Sequence, residues 1–574
     1  MQTRDWIVLV VTLAFIVLYG VYKTRGRKNV QDYIRGGNES KWWSVGLSVM
    51  ATQASAITFL STPGQAYNDG LGFVQFYFGL PIAIVIICVF FIPIYYRLNV
   101  YTAYEYLENR FDIRVRSLAS GLFLLSRGLA AGITIFAPSI ILSAVLGWDL
   151  NTLNIIIGLL VVVYTISGGT KAVTVTQKQQ MGIIFLGMFV AFFLIVSYLP
   201  EDINFDNALQ IAGASGKLDV LDFSFDFENR YTVWSGILGG TFLMLSYFGT
   251  DQSQVQRYLS GKSLREMQLG MIFNGLLKVP MQFFILLVGV MVFVFYQFNP
   301  TPLNFNPAAT SAVHGTPFEK EYNEVQNKLN DLRSDKTELS HRVALDPQAS
   351  VADASGVQIT AKEALKNINA EENKLRDQGR MLIGLADKNV ETNDKDYVFI
   401  HFILNNLPSG LIGLLLAVIL SAAMSSTASE LNALATTTTV DFYRRNLKED
   451  REESHFVDAA KWFTLSWGIL AILIACTANL FDNLIQLVNI IGSLFYGSIL
   501  GIFMSAFFIK TIKARAVFIG AILTQLIVFA LFALDKFEYI SLPYLWLNVV
   551  GCALVILISL TIQSTMGSDK TETA

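Results

Sequence analysis

Long apolar stretches alternate with short polar ones along almost the whole chain. Thirteen of them lie near 5–22, 42–66, 72–96, 117–146, 151–168, 176–199, 232–255, 267–297, 397–439, 455–480, 483–509, 515–534 and 541–563. A helix needs about 20 apolar residues to cross a bilayer. The pattern therefore predicts an all-α polytopic membrane protein with about 13 transmembrane helices. One stretch breaks the rhythm. Residues 298–396 are polar and charged. Within them Thr316-Pro317-Phe318-Glu319 reads as an N-cap, a first-turn proline and a capping-box glutamate, and Thr360 with Glu363 as a second box. Tyr322, Val325, Leu329, Leu332, Leu339 and Val343 follow a three-four spacing, as do Leu365, Ile368, Leu375 and Leu382. Two antiparallel helices joined around Asp346-Pro347 are expected.

Two apolar stretches contain polar groups that a passive span would not. In the ninth, Ser421, Ser425, Ser426, Thr427, Ser429 and Glu430 lie mid-segment. Hydroxyls and a carboxylate are costly in hydrocarbon unless they face protein, water or an ion. Ser421, Ser425 and Ser429 share one helix face, which either admits a close helix neighbour or offers oxygens to a hard cation such as sodium. In the second, Ala51 to Thr62 is small and polar, and Pro63-Gly64 interrupts the run. A helix broken at mid-membrane frees carbonyls for an ion. Ser55 and Thr58, one turn apart, either hydrogen-bond a solute or bond back to their own helix.

Composition agrees. The 574 residues are 53% hydrophobic and 15% charged. Cys88, Cys476 and Cys552 all lie in apolar runs, so no disulfide framework or metal motif is suggested. The stretch Trp6 to Tyr22 has no basic leader or small-residue cleavage site and reads as a retained span. Lys23, Arg25, Arg27, Lys28 and Arg35 follow the first span; Arg97, Arg110, Arg114 and Arg116 the third; Arg257, Lys262 and Arg265 the seventh; Arg444, Arg445 and Lys448 the ninth; Lys510 and Lys513 the eleventh. All short basic loops fall on one side. The expected location is a cell (inner or plasma) membrane, multi-pass, with the N-terminus outside, the C-terminus cytoplasmic and the 298–396 hairpin outside. That hairpin is either a tolerated insertion or a dock for a protein partner.

Arg127, Lys178, Asp251, Lys278 and Glu430 are ionisable residues at or near membrane depth, and cost alone makes each a functional candidate. Arg127 suits a bidentate grip on a carboxylate, or a structural pair with an acid. Lys178 and Asp251 lie near span ends, where they can snorkel. Pro280 weakens the helix after Lys278. The four histidines are scattered and no phosphate-binding glycine loop is present, which argues against an enzyme or an ATP-driven pump. No organic cofactor and no nucleic-acid partner are expected.

Several segments resemble the sodium/solute symporter family, whose members carry sugars, monocarboxylates, iodide, proline or sialic acid. They are Tyr106-Leu107-Glu108-Asn109-Arg110-Phe111, Phe136-Ala137-Pro138, Ser167-Gly168-Gly169-Thr170-Lys171-Ala172-Val173, Gly239-Gly240-Thr241-Phe242, Asp251 to Arg257, and Ser425 to Asn432. The resemblance implies a LeuT-like fold of two inverted five-helix repeats, with solute and ion between them. The expected division is 1–41, an extra helix and basic loop; 42–199, the first repeat; 200–231, an external loop; 232–509, the second repeat, interrupted by the hairpin; 510–563, two further helices; and 564–574, a tail. By the same resemblance, sodium would be held by the carbonyls of Ala51, Ala54 and Ala422 and the hydroxyls of Ser425 and Ser426.

The chain departs from relatives that bind a second sodium. Their Thr-Asp pair is Thr176-Gln177 here, Lys178 follows, and a paired serine is Ala428. One sodium per cycle is expected, with the Lys178 ammonium standing in for the missing ion and facing Glu430. Candidate solute contacts are Ser55, Thr58, Tyr77, Arg127, Asp251 and Lys278. Tyr77 stands where a sugar-carrying relative has a glutamate. The function expected is sodium-coupled symport of a sugar, sugar acid or small carboxylate. The alternatives are a proton-coupled carrier through Asp251 or Glu430, or a carrier-like sensor or scaffold using the hairpin.

Overall fold

The computed structural model describes residues 2–24, 33–34, 36–226, 228–352, 357–388, 390–447, 451–477 and 484–566. Arg25, Arg27, Lys28, Arg35, Lys448 and most of the tail, all used in the topology argument, lie outside the described residues. The chain is helical nearly throughout. In order come α1 (Thr3–Thr24), α2 (Trp42–Gln53), α3 (Ala56–Asp69), α4 (80–98), the short α5 (Glu105–Arg110), α6 (Ile113–Leu146), α7 (Leu150–Ser197) and α8 (Phe205–Ala214). Then follow α9 (Gly240–Gly249, entered through a π turn), α10 (Gln252–Leu259), α11 (Leu264–Phe298), α12 (Pro307–Val313), α13 (Glu319–Leu345), α14 (Ala361–Ala386), α15 (Val398–Asn406), α16 (Leu411–Thr437), α17 (Glu453–Thr477), α18 (Leu484–Phe508), α19 (Ala514–Lys536) and α20 (Tyr544–Thr565). Among the described residues, nine stretches are long and apolar enough to cross a membrane, and Leu150–Val163 and Ser235–Gly249 are shorter apolar helices.

Helix α16 is the hub. It packs against α1, α6, α7 and α17, and 83% of its most apolar window is buried. Helices α2 and α3 lie between α16 and α11. Close approach here depends on missing side chains: a Cβ on Gly289 of α11 would fall 2.2 Å from the Pro63 carbonyl oxygen of α3.

Two helix breaks sit at corresponding places, in the first helix of each expected repeat. The first lies between α2 and α3. Ala54 has φ −82° and ψ 73°, and Ser55 is extended. The expected break at Pro63-Gly64 is not there. Pro63 is absorbed inside α3, because the chain has already broken nine residues earlier and α3 runs on to Asp69. The second lies between α9 and α10, where Asp251 caps α10 by accepting from the Ser253 N–H at 2.9 Å. Elsewhere apolar stretches are divided or joined differently from the sequence pattern. The fifth and sixth form one helix, α7, bent at Gly169, which has a positive φ of 55°. The ninth is cut before Gly410 (φ 94°), leaving α15 separate from α16.

The hairpin forms as α13 and α14, joined beyond Asp346-Pro347 by a small antiparallel ribbon, Ser350–Ala352 with Gln358–Thr360. It has its own core, in which Tyr322, Val325, Leu329, Leu375 and Leu382 meet Leu303 and Val313. Thr360 caps α14 as expected, accepting from the Glu363 N–H at 3.1 Å. Thr316 caps the turn before α13, accepting from the Phe318 N–H at 3.3 Å, and not the helix itself. That helix starts at Glu319, whose carboxylate turns back instead to the Gly315 N–H at 2.9 Å and to His314.

Candidate functional site

The first break explains how a carbonyl becomes available. In an unbroken helix the Ser55 N–H would bond the Ala51 carbonyl. Here it donates to Gln53 instead, at 3.0 Å. The freed Ala51 oxygen meets the Ser425 hydroxyl of α16 at 3.3 Å. One residue on, the Ser426 hydroxyl lies 3.1 Å from the Ala422 carbonyl. Ala51, Ala54, Ala422, Ser425 and Ser426 are all buried. This donor set is neutral, small and made of hard oxygens. It fits a monovalent hard cation, whereas calcium or magnesium sites normally include carboxylates.

Beside these oxygens lies a cavity between the two breaks. Gln53, Ser55 and Thr58 from the first break line it, with Phe76 and Tyr77, Arg127 and Thr134 of α6, Tyr247 of α9, Ser426 and Glu430 of α16, and Asn489 and Tyr496 of α18. Ser426 therefore belongs to both the oxygen cluster and the cavity wall. Six of the sequence-derived residues, Ser55, Thr58, Tyr77, Arg127, Ser426 and Glu430, come together here. Asp251 and Lys278 are not on the lining.

Arg127 is paired, not free. Its guanidinium bonds Asp251, Tyr496 and, at 3.0 Å, Glu430. Its carbon lies 5.4 Å from the Tyr247 ring centre. Asp251 does not snorkel. It is 2% exposed, caps α10 and is tied to Arg127 and Tyr496. Lys278 is fully buried, with no hydrogen-bond acceptor at its ammonium among the described residues, and the ammonium lies 5.9 Å from the Tyr77 ring. Pro280 leaves α11 unbroken there.

The expectation that Lys178 faces Glu430 is overturned. Glu430 is turned to Arg127 and to Thr134, 2.8 Å away. Lys178 lies over the Trp43 ring at 5.0 Å, in a separate pocket with Lys171. It is Gln177 that fills the polar gap. Its amide nitrogen donates to Thr52 at 3.0 Å and Ser429 at 2.9 Å, and its oxygen accepts from Ser48. Thr134, Tyr247 and Tyr496 went unnoticed in the sequence. Thr134 stands seven residues after Arg127, on the same face of α6. The two tyrosines carry no comparable signal, because they lie in ordinary apolar spans.

Comparison with known proteins places this geometry. The model of the sodium:solute symporter family matches residues 33–320 and 381–524. The human sodium/iodide cotransporter is 32% identical over 275 residues, 47% of this chain and 42% of that protein. The bovine sodium-coupled monocarboxylate transporter 2 is 31% identical over 47% of this chain and 44% of its own length. The chain thus spans less than half the length of these two relatives. The sodium/sialic acid symporter SiaT of Proteus mirabilis is 26% identical over 92% of this chain and 89% of its own. A solved structure of a Na+-coupled sialic acid symporter in a substrate-bound outward-open state superposes with a TM-score of 0.74, at 24% identity, over 98% of both chains. The fold is therefore shared with that symporter, and the chain belongs to the sodium:solute symporter family.

Proposed function

We propose that the chain is a sodium-coupled symporter, a carrier and not an enzyme, that imports a small polar organic solute by alternating access. One observation carries this reading: the break in α2–α3 releases the Ala51 carbonyl onto the Ser425 hydroxyl, beside a cavity that shares Ser426. Sodium would be held by the carbonyls of Ala51, Ala54 and Ala422 and the hydroxyls of Ser425 and Ser426. It supplies charge, and one charge moved through 100 mV is worth roughly 2.3 kcal/mol. The protein's part is to make solute binding depend on that ion. The ligands come from α2 and α16, and the solute groups Ser55 and Thr58 from the same break, so ion and solute stabilise one arrangement of these helices. Gln177 supports one sodium per cycle, because its amide already bonds the three hydroxyls around it. The solute range is sugar, sugar acid or small carboxylate. We place the N-terminus outside, the C-terminus in the cytoplasm and the hairpin outside, where it is available to a partner.

Uptake into proteoliposomes of labelled sugars, sugar acids and monocarboxylates tests the reading, with an inward sodium gradient and with choline in its place. Uptake should require sodium and collapse in Ser425→Ala/Ser426→Ala. Equal uptake in choline would refute the sodium site.

A further inference from the structure

The charge balance of the cavity selects among those solutes. Resting on the transport reading above, we infer that the solute is neutral and rich in hydroxyls, a sugar or polyol, and not a carboxylate or other anion. Among the described lining residues, Arg127 is the single cation and Glu430 the single anion. The charge of Arg127 is already spent on Glu430 and Asp251. Asp251 is further held by the Ser253 N–H at 2.9 Å, the Ser253 hydroxyl at 2.7 Å and the Tyr496 hydroxyl at 2.9 Å. One guanidinium and two carboxylates sum to a negative charge, or to neutrality if one acid holds a proton. In neither state do these side chains make the wall positive, and the sodium of the transport reading would do no more than balance the two ionised acids against Arg127.

An incoming carboxylate would have to take Arg127 from a carboxylate already in place. That exchange gains no ion pair and strands a buried acid. Two polar atoms on lining residues have no partner among the described residues, and both suit hydroxyls. Arg127 Nε lacks an acceptor, and one N–H suits one oxygen, unlike the two-oxygen grip that favours a carboxylate. Gln53 Oε1 lacks a donor, and a sugar hydroxyl can supply one where a carboxylate group cannot. Phe76 and Tyr77 add aromatic surface to the lining, which suits the C–H side of a sugar. Lys278, a buried cation whose ammonium lies 5.9 Å from the Tyr77 ring, does not line the cavity. The chain thereby differs from relatives named for iodide, monocarboxylates and sialic acid, all of them anions at neutral pH.

The test uses matched pairs, galactose with galacturonate and glucose with glucuronate, in proteoliposomes of the full chain with sodium or choline outside. The wild type should accumulate the neutral member of a pair about tenfold or more over the acid, since misplaced like charge costs several kcal/mol. Glu430→Gln, and independently Asp251→Asn, release part of Arg127 and should narrow that ratio. Equal or preferred uptake of the acid by the wild type would overturn the inference, and so would an unchanged ratio in both variants. The two readings fail separately. Neutral uptake that persists in choline removes sodium coupling and leaves the solute class standing. Sodium-driven uptake that favours the acid removes the solute class and leaves symport standing.

Discussion

At the scale of single residues, Arg127 joins Asp251 and Glu430 in one buried ionic cluster. Arg127, Asp251 and Glu430 stand out in the sequence because each is expensive at membrane depth. That they satisfy one another depends on three helices, α6, α10 and α16, meeting at one point. The sequence offers Lys178 as the obvious replacement for an ion, but its neighbour Gln177 takes the position. Adjacent residues on a helix point about 100° apart, so only one of them can face α2 and α16. Gln177→Leu should therefore destabilise the protein. It takes the acceptor from the buried Ser48 hydroxyl, which keeps only a 3.5 Å contact with Thr174, and one donor each from Thr52 and Ser429, which still bond the Ser48 and Ser425 carbonyls, at a cost of about 1–3 kcal/mol. A lower thermal unfolding midpoint in detergent would show it, and an unchanged midpoint would deny the amide a structural role.

At the scale of elements, proline was the misleading signal. Pro63-Gly64 looks like a helix breaker, yet the helix breaks at Ala54-Ser55 and tolerates Pro63. Gly64 serves a different purpose. The chain returning from the hairpin crosses α3 so closely that a Cβ on Gly64 would lie 1.7 Å from the Lys395 carbonyl oxygen. Beside it, the Lys395 ammonium pairs with Asp69 at 3.0 Å. The insert is therefore clamped onto the C-terminal half of the helix that carries Ser55 and Thr58. Gly64→Ala should force the two apart and cost at least the 1–3 kcal/mol typical of overpacking. Gly121→Ala is the control, because nothing lies within 4 Å of a Cβ there. It should be neutral or stabilise α6 by up to about 1 kcal/mol. Thermal unfolding and sodium-driven uptake of the two variants compare them directly. Equal behaviour would mean that the clamp is unimportant.

At the scale of the whole molecule, the hairpin has a small core of its own, joins the main core through Val343, Ala344 and Leu365, and holds a buried ionic centre. Lys336 reaches Glu372 at 2.6 Å, and Arg376 reaches the same carboxylate at 3.0 Å. Burial alone would raise the Glu372 carboxyl, but the two cations override it and hold it down at about 2. Its folded value is thus below its ordinary value of about 4.3. The stability it contributes is complete above that ordinary value and drains away as pH falls towards 2. Hydrogen exchange should show α13 and α14 losing protection across that interval. In Glu372→Gln the loss should be present already at neutral pH and should no longer depend on acid in that range. Acid-independent protection of the wild-type hairpin would contradict this account.

The sequence by itself determined the material of the protein. Apolar length specifies membrane helices, and the polar insert specifies a helical hairpin. The serine face of α16 and the small residues before Ser55 mark an oxygen-rich seam. These features were legible because hydrocarbon penalises every uncompensated polar group, so each one shows against its background. Tertiary structure decided who meets whom. It set the position of the break, the pairing of Arg127 with two acids, and the choice of Gln177 over Lys178. It also set the seating of Lys395 on Gly64. Each depends on the relative placement of helices far apart in sequence, where a shift of one residue turns a side chain to another face. No local pattern of spacing or charge encodes that placement.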